Sequence, residues 1–83
     1  MKFYTYILRS EKDNSYYIGS SSSIKQRIEV HNKGKVRSTR YKRPLKLIYT
    51  EDYPTLKEAM KRERQLKSWK RRDAIERLIK NKK

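Results

Sequence analysis

The stretch that decides the fold is YYIGSSSSIKQRIEVHN, residues 16–32. Its first three residues are aromatic or β-branched, which favours a strand, and we expect Gly19 and the serine run behind it to end that strand. Ser23 and Gln26 have the S-x-x-Q spacing of a capping box, so a helix should follow directly. Four residues would share one face of that helix, at i, i+3, i+4 and i+7: Ile24, Arg27, Ile28 and His31.

On the N-terminal side, a second apolar segment can pair with this strand. Residues 3–8 are aromatic, β-branched or aliphatic, and residues 9–15 supply the turn formers Asp13 and Asn14. This pattern predicts a β-hairpin with a loop of about five to seven residues.

On the C-terminal side, Asn32 and Gly34 should end the helix. Residues 33–46 contain seven basic residues and no acid, and we expect them to form an exposed loop. Residues 45–53 alternate enough to form a third strand, which Pro54 would end.

Two more helices are predicted after the third strand. Thr55 and Glu58 form a second capping box, so a helix should run from Leu56 to about Trp69. Ser68 is the predicted cap of a last helix, which frays into the basic tail 80–83. The apolar positions of that helix are Ala74, Ile75, Leu78 and Ile79.

This order predicts an α+β fold, β-β-α-β-α-α, in which a three-stranded antiparallel sheet is flanked by helices. Since the chain has 83 residues, we expect one domain over residues 1–83. Short chains bury a small fraction of their surface, so its stability should be marginal.

The net charge of the chain indicates which classes of partner it can bind. The 24 Lys and Arg residues against 9 Asp and Glu give a formal net charge of +15, and seven tyrosines lie among them. A polyanionic partner is expected, and nucleic acid is favoured over a membrane because the basic residues are not confined to one amphipathic helix. With no cysteine and one histidine, any metal must be held mainly by oxygen. No apolar run reaches 18 residues, so we expect a soluble cytosolic protein without membrane contact.

A carboxylate on an apolar face is the clearest chemical signal. Glu63 lies in the helical stripe formed by Leu56, Ala59, Met60 and Leu66, where an isolated ionised carboxylate is costly. It must pair with a base such as Lys67, bind a cation, or lie at the edge of the stripe in water. Arg27 and His31 also have two interpretations. Either Arg27 extends its charged end into water while His31 packs its ring against the sheet with one nitrogen satisfied, or both point into a cleft that also receives Glu63.

The ordered set of Tyr6, Tyr17-Ile18-Gly19, Arg27, His31 and Glu63 resembles the GIY-YIG nuclease module over nearly the whole chain. The closest likeness is to small single-domain bacterial members, through YTYILRS (4–10), YYIGSSSSIKQRIEVHN (16–32), RPLKLIYTE (43–51) and KEAMKRERQLKSW (57–69). The resemblance implies a three-stranded antiparallel sheet flanked by helices and a metal-dependent endonuclease that hydrolyses DNA phosphodiester bonds, in a setting such as DNA repair.

The resemblance also implies roles for the catalytic residues. A tyrosine, Tyr6 or Tyr17, would act as general base toward water, aided by the second tyrosine or by His31. Arg27 would stabilise the phosphate, and Glu63 would hold one Mg²⁺ or Mn²⁺ ion.

The chain departs from the family pattern at three places. Its GIY element reads Tyr4-Thr5-Tyr6, Ser20 stands where some relatives have lysine, and no asparagine matches the one that follows the metal glutamate in some relatives.

Substrate selection would come from the module itself or from a protein partner. The basic segment 33–46 and the segment from Lys67 to Arg72 are our candidates for contacting the DNA backbone. The residues concerned are Arg37, Arg40, Lys42, Arg43, Lys67, Trp69 and Lys70. Single-stranded, duplex and branched DNA are all possible substrates. Two alternatives stay open: a non-catalytic nucleic-acid-binding module with the same fold, and a basic accessory factor of the ribosome or another protein.

Overall fold

In the computed structural model, which describes residues 2–81, strand β1 (Phe3–Ser10) is the centre of a three-stranded sheet. Strands β2 (Tyr16–Ser21) and β3 (Leu45–Tyr53) pair with it on either side, and both pairings are antiparallel. The helices are α1 (Ile24–Asn32), α2 (Leu56–Ser68) and α3 (Arg72–Asn81), with a short 3-10 turn at Arg40–Lys42. The predicted α+β fold with the order β-β-α-β-α-α is confirmed.

The two sheet faces bury different side chains because successive strand residues point to opposite sides. On one face, Ile7 and Ile18 pack with residues of α2 and α3, namely Leu66 and Ile75. On the other face, the core residues Tyr6, Leu8 and Leu45 pack with Ile24 and Ile28 of α1. Helices therefore cover both faces of the sheet.

Both predicted capping boxes begin a helix. The Ser23 hydroxyl accepts a hydrogen bond from the backbone N–H of Gln26 at 3.3 Å, and the Thr55 hydroxyl accepts one from Glu58 at 3.2 Å. Each cap satisfies a backbone donor that the helix itself leaves unpaired. Strand β2 continues through Gly19 to Ser21 instead of ending at the glycine.

The cap predicted at Ser68 is wrong. Ser68 is the last residue of α2, and its hydroxyl donates to the carbonyl of Gln65 at 2.6 Å. Lys70 has a positive φ of 51°, which turns the chain before α3 begins at Arg72. Only part of the predicted basic tail, residues 80–83, can be compared with the structure. Lys80 belongs to α3, and residues 82 and 83 lie outside the described range.

Two burial predictions need correction. Residues 33–46 are not uniformly exposed, since Thr39 and Leu45 are only 1% and 4% exposed. In the apolar stripe of α2, Ala59 and Leu66 are buried, whereas Leu56 and Met60 are 42% and 43% exposed. The buried stripe of α2 is therefore narrower than predicted and runs along Ala59, Glu63 and Leu66.

Candidate nuclease site

The two candidate tyrosines come from adjacent strands on the sheet face that α1 covers. Tyr6 lies opposite Gly19 in the β1–β2 register and is 1% exposed. A Cβ atom built on Gly19 would lie 2.6 Å from Cζ of Tyr6. Glycine at this position therefore makes room for the Tyr6 ring, while Tyr17, two residues earlier on the same face, is half-buried.

Helix α1 brings Arg27 and His31 to the tyrosines, one helical turn apart. The His31 ring is fully buried and meets the Tyr17 ring edge-on, with 4.6 Å between the centroids. Its Nδ1 atom is 2.8 Å from Oγ1 of Thr39. The His31 ring is therefore packed with one nitrogen satisfied, as the first of the two interpretations expected, and one of the groups it packs against is Tyr17.

Unpaired buried atoms cluster at this place. Over residues 2–81, four buried side-chain nitrogen or oxygen atoms have no hydrogen-bond partner, and three of them belong to the site. They are the Tyr6 hydroxyl, Arg27 Nε and His31 Nε2. Leaving a buried polar group unpaired costs about 1–3 kcal/mol, so such groups are rare and a cluster of three points to a water molecule or a ligand.

Burial and the charge of Arg27 together set the electrostatics of the site. Burial raises the pKa of Tyr6, and the guanidinium of Arg27 beside its hydroxyl partly opposes that rise. Burial lowers the pKa of His31, and Arg27 lowers it further. At neutral pH the Tyr6 phenol is therefore protonated, and the His31 imidazole is neutral.

Glu63 belongs to α2 and approaches the same site across the edge strand β2. Its Oε1 accepts a hydrogen bond from the Ser20 hydroxyl at 2.6 Å, and its Oε2 pairs with Lys67 Nζ at 2.7 Å. Of the three alternatives for Glu63, the structure shows the ion pair with Lys67, and the Glu63 side chain is also 20% exposed.

The charge of Glu63 also acts on the two groups at the centre of the site. Burial is the main cause of the raised pKa of Tyr6, the charges of Tyr17 and Glu63 add to the rise, and Arg27 opposes it. The adjacent Tyr6 hydroxyl is the main cause of the raised pKa of Arg27, and Glu63 adds to it. Tyr6, Tyr17, Arg27, His31 and Glu63 are therefore linked by contact or by charge.

Sequence reasoning missed two residues of this arrangement. Ser20 counted only as a departure from the family pattern, yet it holds an oxygen of Glu63. Strand alternation offered a signal, because a strand continued past Gly19 points Ser20 toward α2. Thr39 gave no signal, since it lies in a polar and basic run.

The residues present fit a divalent ion that keeps most of its water ligands better than an ion coordinated entirely by protein side chains. Within residues 2–81, no three His, Cys, Asp or Glu side chains are grouped to hold a metal. Glu63 offers a partly exposed carboxylate beside the hydroxyl of Ser20. Mg²⁺ takes oxygen ligands, keeps several waters and is often held by one or two carboxylates together with substrate phosphate.

An ion pair fixes α2, and with it Glu63, against the sheet. Glu51 of β3 accepts hydrogen bonds from Arg62 Nε at 2.9 Å and from the Tyr53 hydroxyl at 2.5 Å, and a further one from Tyr49. Burial together with hydrogen bonding to Glu51 raises the pKa of Tyr49 and of Tyr53 to about 12. These two tyrosines are therefore structural.

Two residues predicted to contact DNA have structural partners. Lys42 Nζ lies 3.2 Å from Asp13 and 3.0 Å from the Ser15 hydroxyl, so it fastens the hairpin loop. Trp69 is partly buried against the core, with the Arg62 guanidinium 5.6 Å from the ring centroid. Both are therefore less available to DNA than the sequence suggested.

The other predicted DNA contacts stay exposed. Arg40 and Arg43 donate to the backbone carbonyls of Gly34 and Arg40. Arg37, Lys67 and Lys70 are exposed as well.

A basic groove opens next to Tyr17. It has a volume of about 320 Å³ and contains four basic side chains but no acidic one. Its lining residues are Tyr16, Tyr17, Ile18, Leu66, Lys67, Lys70, Arg71, Arg72 and Ile75. A polyanionic strand that enters this groove would pass directly beside the candidate site.

Fold and site together define a small α+β domain of the nuclease class, with tyrosines, a cation and a carboxylate gathered at one sheet edge. A family model described as the GIY-YIG catalytic domain matches residues 2–82. The chain belongs to the GIY-YIG family, a family of nuclease domains that generally depend on divalent metal and act on DNA.

Bacterial relatives agree with this membership. The UPF0213 protein SH2523 of Staphylococcus haemolyticus is 39% identical over 75 residues, which cover 89% of this chain and 90% of that protein. A UPF0213 protein of Streptococcus pneumoniae is 41% identical over 81 residues, covering 96% and 81%. The solution NMR structure of the UPF0213 protein BH0048 from Bacillus halodurans superposes with a TM-score of 0.62 at 35% identity, covering 99% of this chain and 86% of that one.

Between residues 2 and 81, none of the helices has the length and apolar character needed to cross a membrane.

Proposed function

We propose that this chain is a metal-dependent DNA endonuclease, a single nuclease domain that acts in the cytoplasm. The observation that carries the proposal is the clustering of buried polar atoms on Tyr6, Arg27 and His31 that have no partner in ideal hydrogen-bond geometry, although the Tyr6 hydroxyl and the Arg27 guanidinium lie close enough to shift each other's pKa. A scissile phosphate and its attacking water would supply partners for these atoms. The charge of Glu63, felt at Tyr6 and Arg27, adds the anionic group that a divalent ion needs.

Tyr17 is the better candidate for the general base. It is half-buried and can reach a water molecule, whereas Tyr6 is 1% exposed and its pKa is raised by burial. A buried, protonated phenol is suited to donate a hydrogen bond to a phosphate oxygen. We therefore assign proton removal to Tyr17, assisted by the neutral imidazole of His31, and phosphate binding to Tyr6.

Arg27 and Glu63 would handle the negative charge of the reaction. The guanidinium of Arg27 remains charged at all relevant pH values and can stabilise the additional charge that develops on the phosphate. Glu63, oriented by Ser20, would hold one Mg²⁺ or Mn²⁺ ion. Such an ion supplies Lewis-acid stabilisation of phosphoryl oxygens.

The basic groove beside Tyr17 is the DNA interface that we favour. Lys67 and Lys70 line it, and Arg72 lies 4.5 Å from the Tyr16 ring centroid at its wall. Contacts to phosphates position DNA without reading its sequence, so the enzyme would select a DNA structure or strand rather than a base sequence. The exposed residues Arg37, Arg40 and Arg43 would extend this interface, and a protein partner for targeting is compatible with it.

The test is incubation of the purified protein with single-stranded, duplex and branched DNA, in Mg²⁺, in Mn²⁺ and in EDTA, beside Glu63→Ala. The proposal expects products only with metal and only from the wild-type chain. Equal cleavage by Glu63→Ala would contradict it.

One observation favours the alternative of a non-catalytic DNA-binding module: both oxygens of Glu63 are already bonded, to Ser20 and to Lys67. That alternative predicts binding that weakens steeply with salt and no product in any metal. A metal-dependent nick in any of the three substrates would exclude it.

A further inference from the structure

We infer that Thr39 is a positioning residue that fixes the tautomer of His31, so that Nδ1 carries the proton and Nε2 presents its lone pair to the site. The inference rests on the proposed function for its catalytic consequence, but the tautomer itself can be measured without any cleavage assay.

The hydrogen-bond geometry around Thr39 sets the direction of the proton. Its hydroxyl is 3.4 Å from the carbonyl of Val36 and 2.8 Å from Nδ1 of His31. A carbonyl can only accept, and a hydroxyl has one proton to donate. If Thr39 donates to Val36, it must accept from His31, and Nδ1 must then carry the hydrogen.

The opposite arrangement, in which Thr39 donates to Nδ1, leaves a buried N–H donor without a partner. If Thr39 donated to Nδ1, the single proton of the neutral ring would lie on Nε2, which is buried and unpartnered within residues 2–81. Among backbone groups, buried N–H donors without a partner are rarer than under-satisfied acceptors. The arrangement with an unprotonated Nε2 is therefore favoured before any ligand arrives.

The surroundings hold this pair in place. His31 and Thr39 are 0% and 1% exposed, so water does not compete for the bond. Thr39 also begins the 3-10 turn, since its carbonyl accepts from the backbone N–H of Lys42 at 2.9 Å. The Lys42 carbonyl in turn accepts from the Ser10 hydroxyl at 2.6 Å. The basic segment 33–46 is thus tied to β1 at the point where it supports His31.

The consequence lies at Tyr17, whose ring contacts the His31 ring. With its lone pair on Nε2, His31 can accept a proton from the catalytic tyrosine, whereas the other tautomer presents a donor there. The groups that face His31 are Arg27 on its own helix, through its charge, and Tyr17 of β2, through its ring. A neutral acceptor beside Arg27 fits this setting better than an imidazolium does.

The experiment is ¹⁵N NMR of the full chain labelled at histidine, for wild type, Thr39→Val, Thr39→Ala and Thr39→Ser. The wild type and Thr39→Ser should show a protonated Nδ1 and an unprotonated Nε2. Thr39→Val and Thr39→Ala should shift the ring toward the Nε2–H tautomer. Thr5→Val is the matched control, because Thr5 is equally buried but bonds to the carbonyl of Ala59 on the other sheet face.

Cleavage kinetics complete the test. For Thr39→Val we expect kcat to fall by about tenfold or more, with the roughly 10²–10⁴-fold contribution of acid–base catalysis as the upper limit. KM should change little, and Thr39→Ser should restore kcat. An unchanged His31 tautomer in both Thr39→Val and Thr39→Ala would overturn the inference. A shifted tautomer with unchanged kcat would overturn the positioning role while leaving the nuclease assignment intact.

Discussion

Tyr6 and Gly19 face each other across β1 and β2, and the ring of Tyr6 occupies the space that a side chain on Gly19 would need. Gly19→Ala would bring a methyl group to 2.6 Å from Tyr6 Cζ unless the strands move apart. Overpacking of this kind costs about 1–3 kcal/mol. We expect urea unfolding to show a loss of that size, and a smaller loss from the same change in a Tyr6→Phe background. A Gly19→Ala chain as stable as the wild type would contradict this packing.

The neighbouring tyrosines of β2 provide a matched pair for the base assignment. Tyr17→Phe removes the hydroxyl proposed to take the proton, and we expect the single-turnover cleavage rate to fall by about 10²–10⁴. Tyr16 lies on the opposite face under Arg72, so Tyr16→Phe should keep the rate within a few fold. Similar losses in the two variants would argue against Tyr17 as the base.

Under the proposed function, Lys67, which is paired with Glu63, would compete with a metal ion for that carboxylate. Replacing Lys67 with Gln frees Oε2 and removes a nearby positive charge, worth about 1 kcal/mol at 4 Å in water. We expect Mn²⁺ to bind about fivefold more tightly to Lys67→Gln in the absence of DNA, as measured by electron paramagnetic resonance. Lys61→Gln, on an exposed position of the same helix, is the control. If both variants bind Mn²⁺ as the wild type does, the ion does not bind at Glu63.

Burial of His31 predicts a specific acid sensitivity. Because the pKa of folded His31 is below its reference value of 6.5, the unfolded chain binds the proton more readily. The free energy of unfolding should therefore fall as pH drops from about 6.5 toward the folded pKa. Most carboxylates titrate lower, near about 4, so His31→Gln should flatten the pH dependence between pH 7 and pH 5.5. Parallel curves for the two proteins would show that His31 is not buried in its neutral form.

The sequence predicted elements well where a local rule decides them. The capping boxes at Ser23 and Thr55 work over three residues. Runs of aromatic, β-branched and aliphatic residues marked the first two strands, and alternation marked the third. The carboxylate at Glu63 was visible because helical periodicity places it between Ala59 and Leu66. Its partner Lys67 followed from the i+4 spacing alone.

What the sequence did not reveal depends on contacts between distant segments. Thr39 is buried because the basic segment folds back onto His31. Periodicity within a segment does not predict such a contact with another element. Trp69 packs partly against the core, which its place in a basic segment did not indicate, and its contact with DNA stays a prediction. Ser68 has the right side chain for a cap, and only the backbone conformation of Lys70 shows that α3 begins later.

The most direct test of the nuclease assignment is the single-turnover rate of DNA cleavage in Mg²⁺ or Mn²⁺ for the wild type, Glu63→Gln and Glu58→Gln. The two variants make the same change in one helix, and Glu58 is exposed. Charge stabilisation by a bound metal is worth several kcal/mol, so Glu63→Gln should lose at least about a hundredfold in rate while still binding DNA. Glu58→Gln should cleave like the wild type. Equal rates in all three proteins, or no cleavage of any substrate by the wild type, would contradict the account.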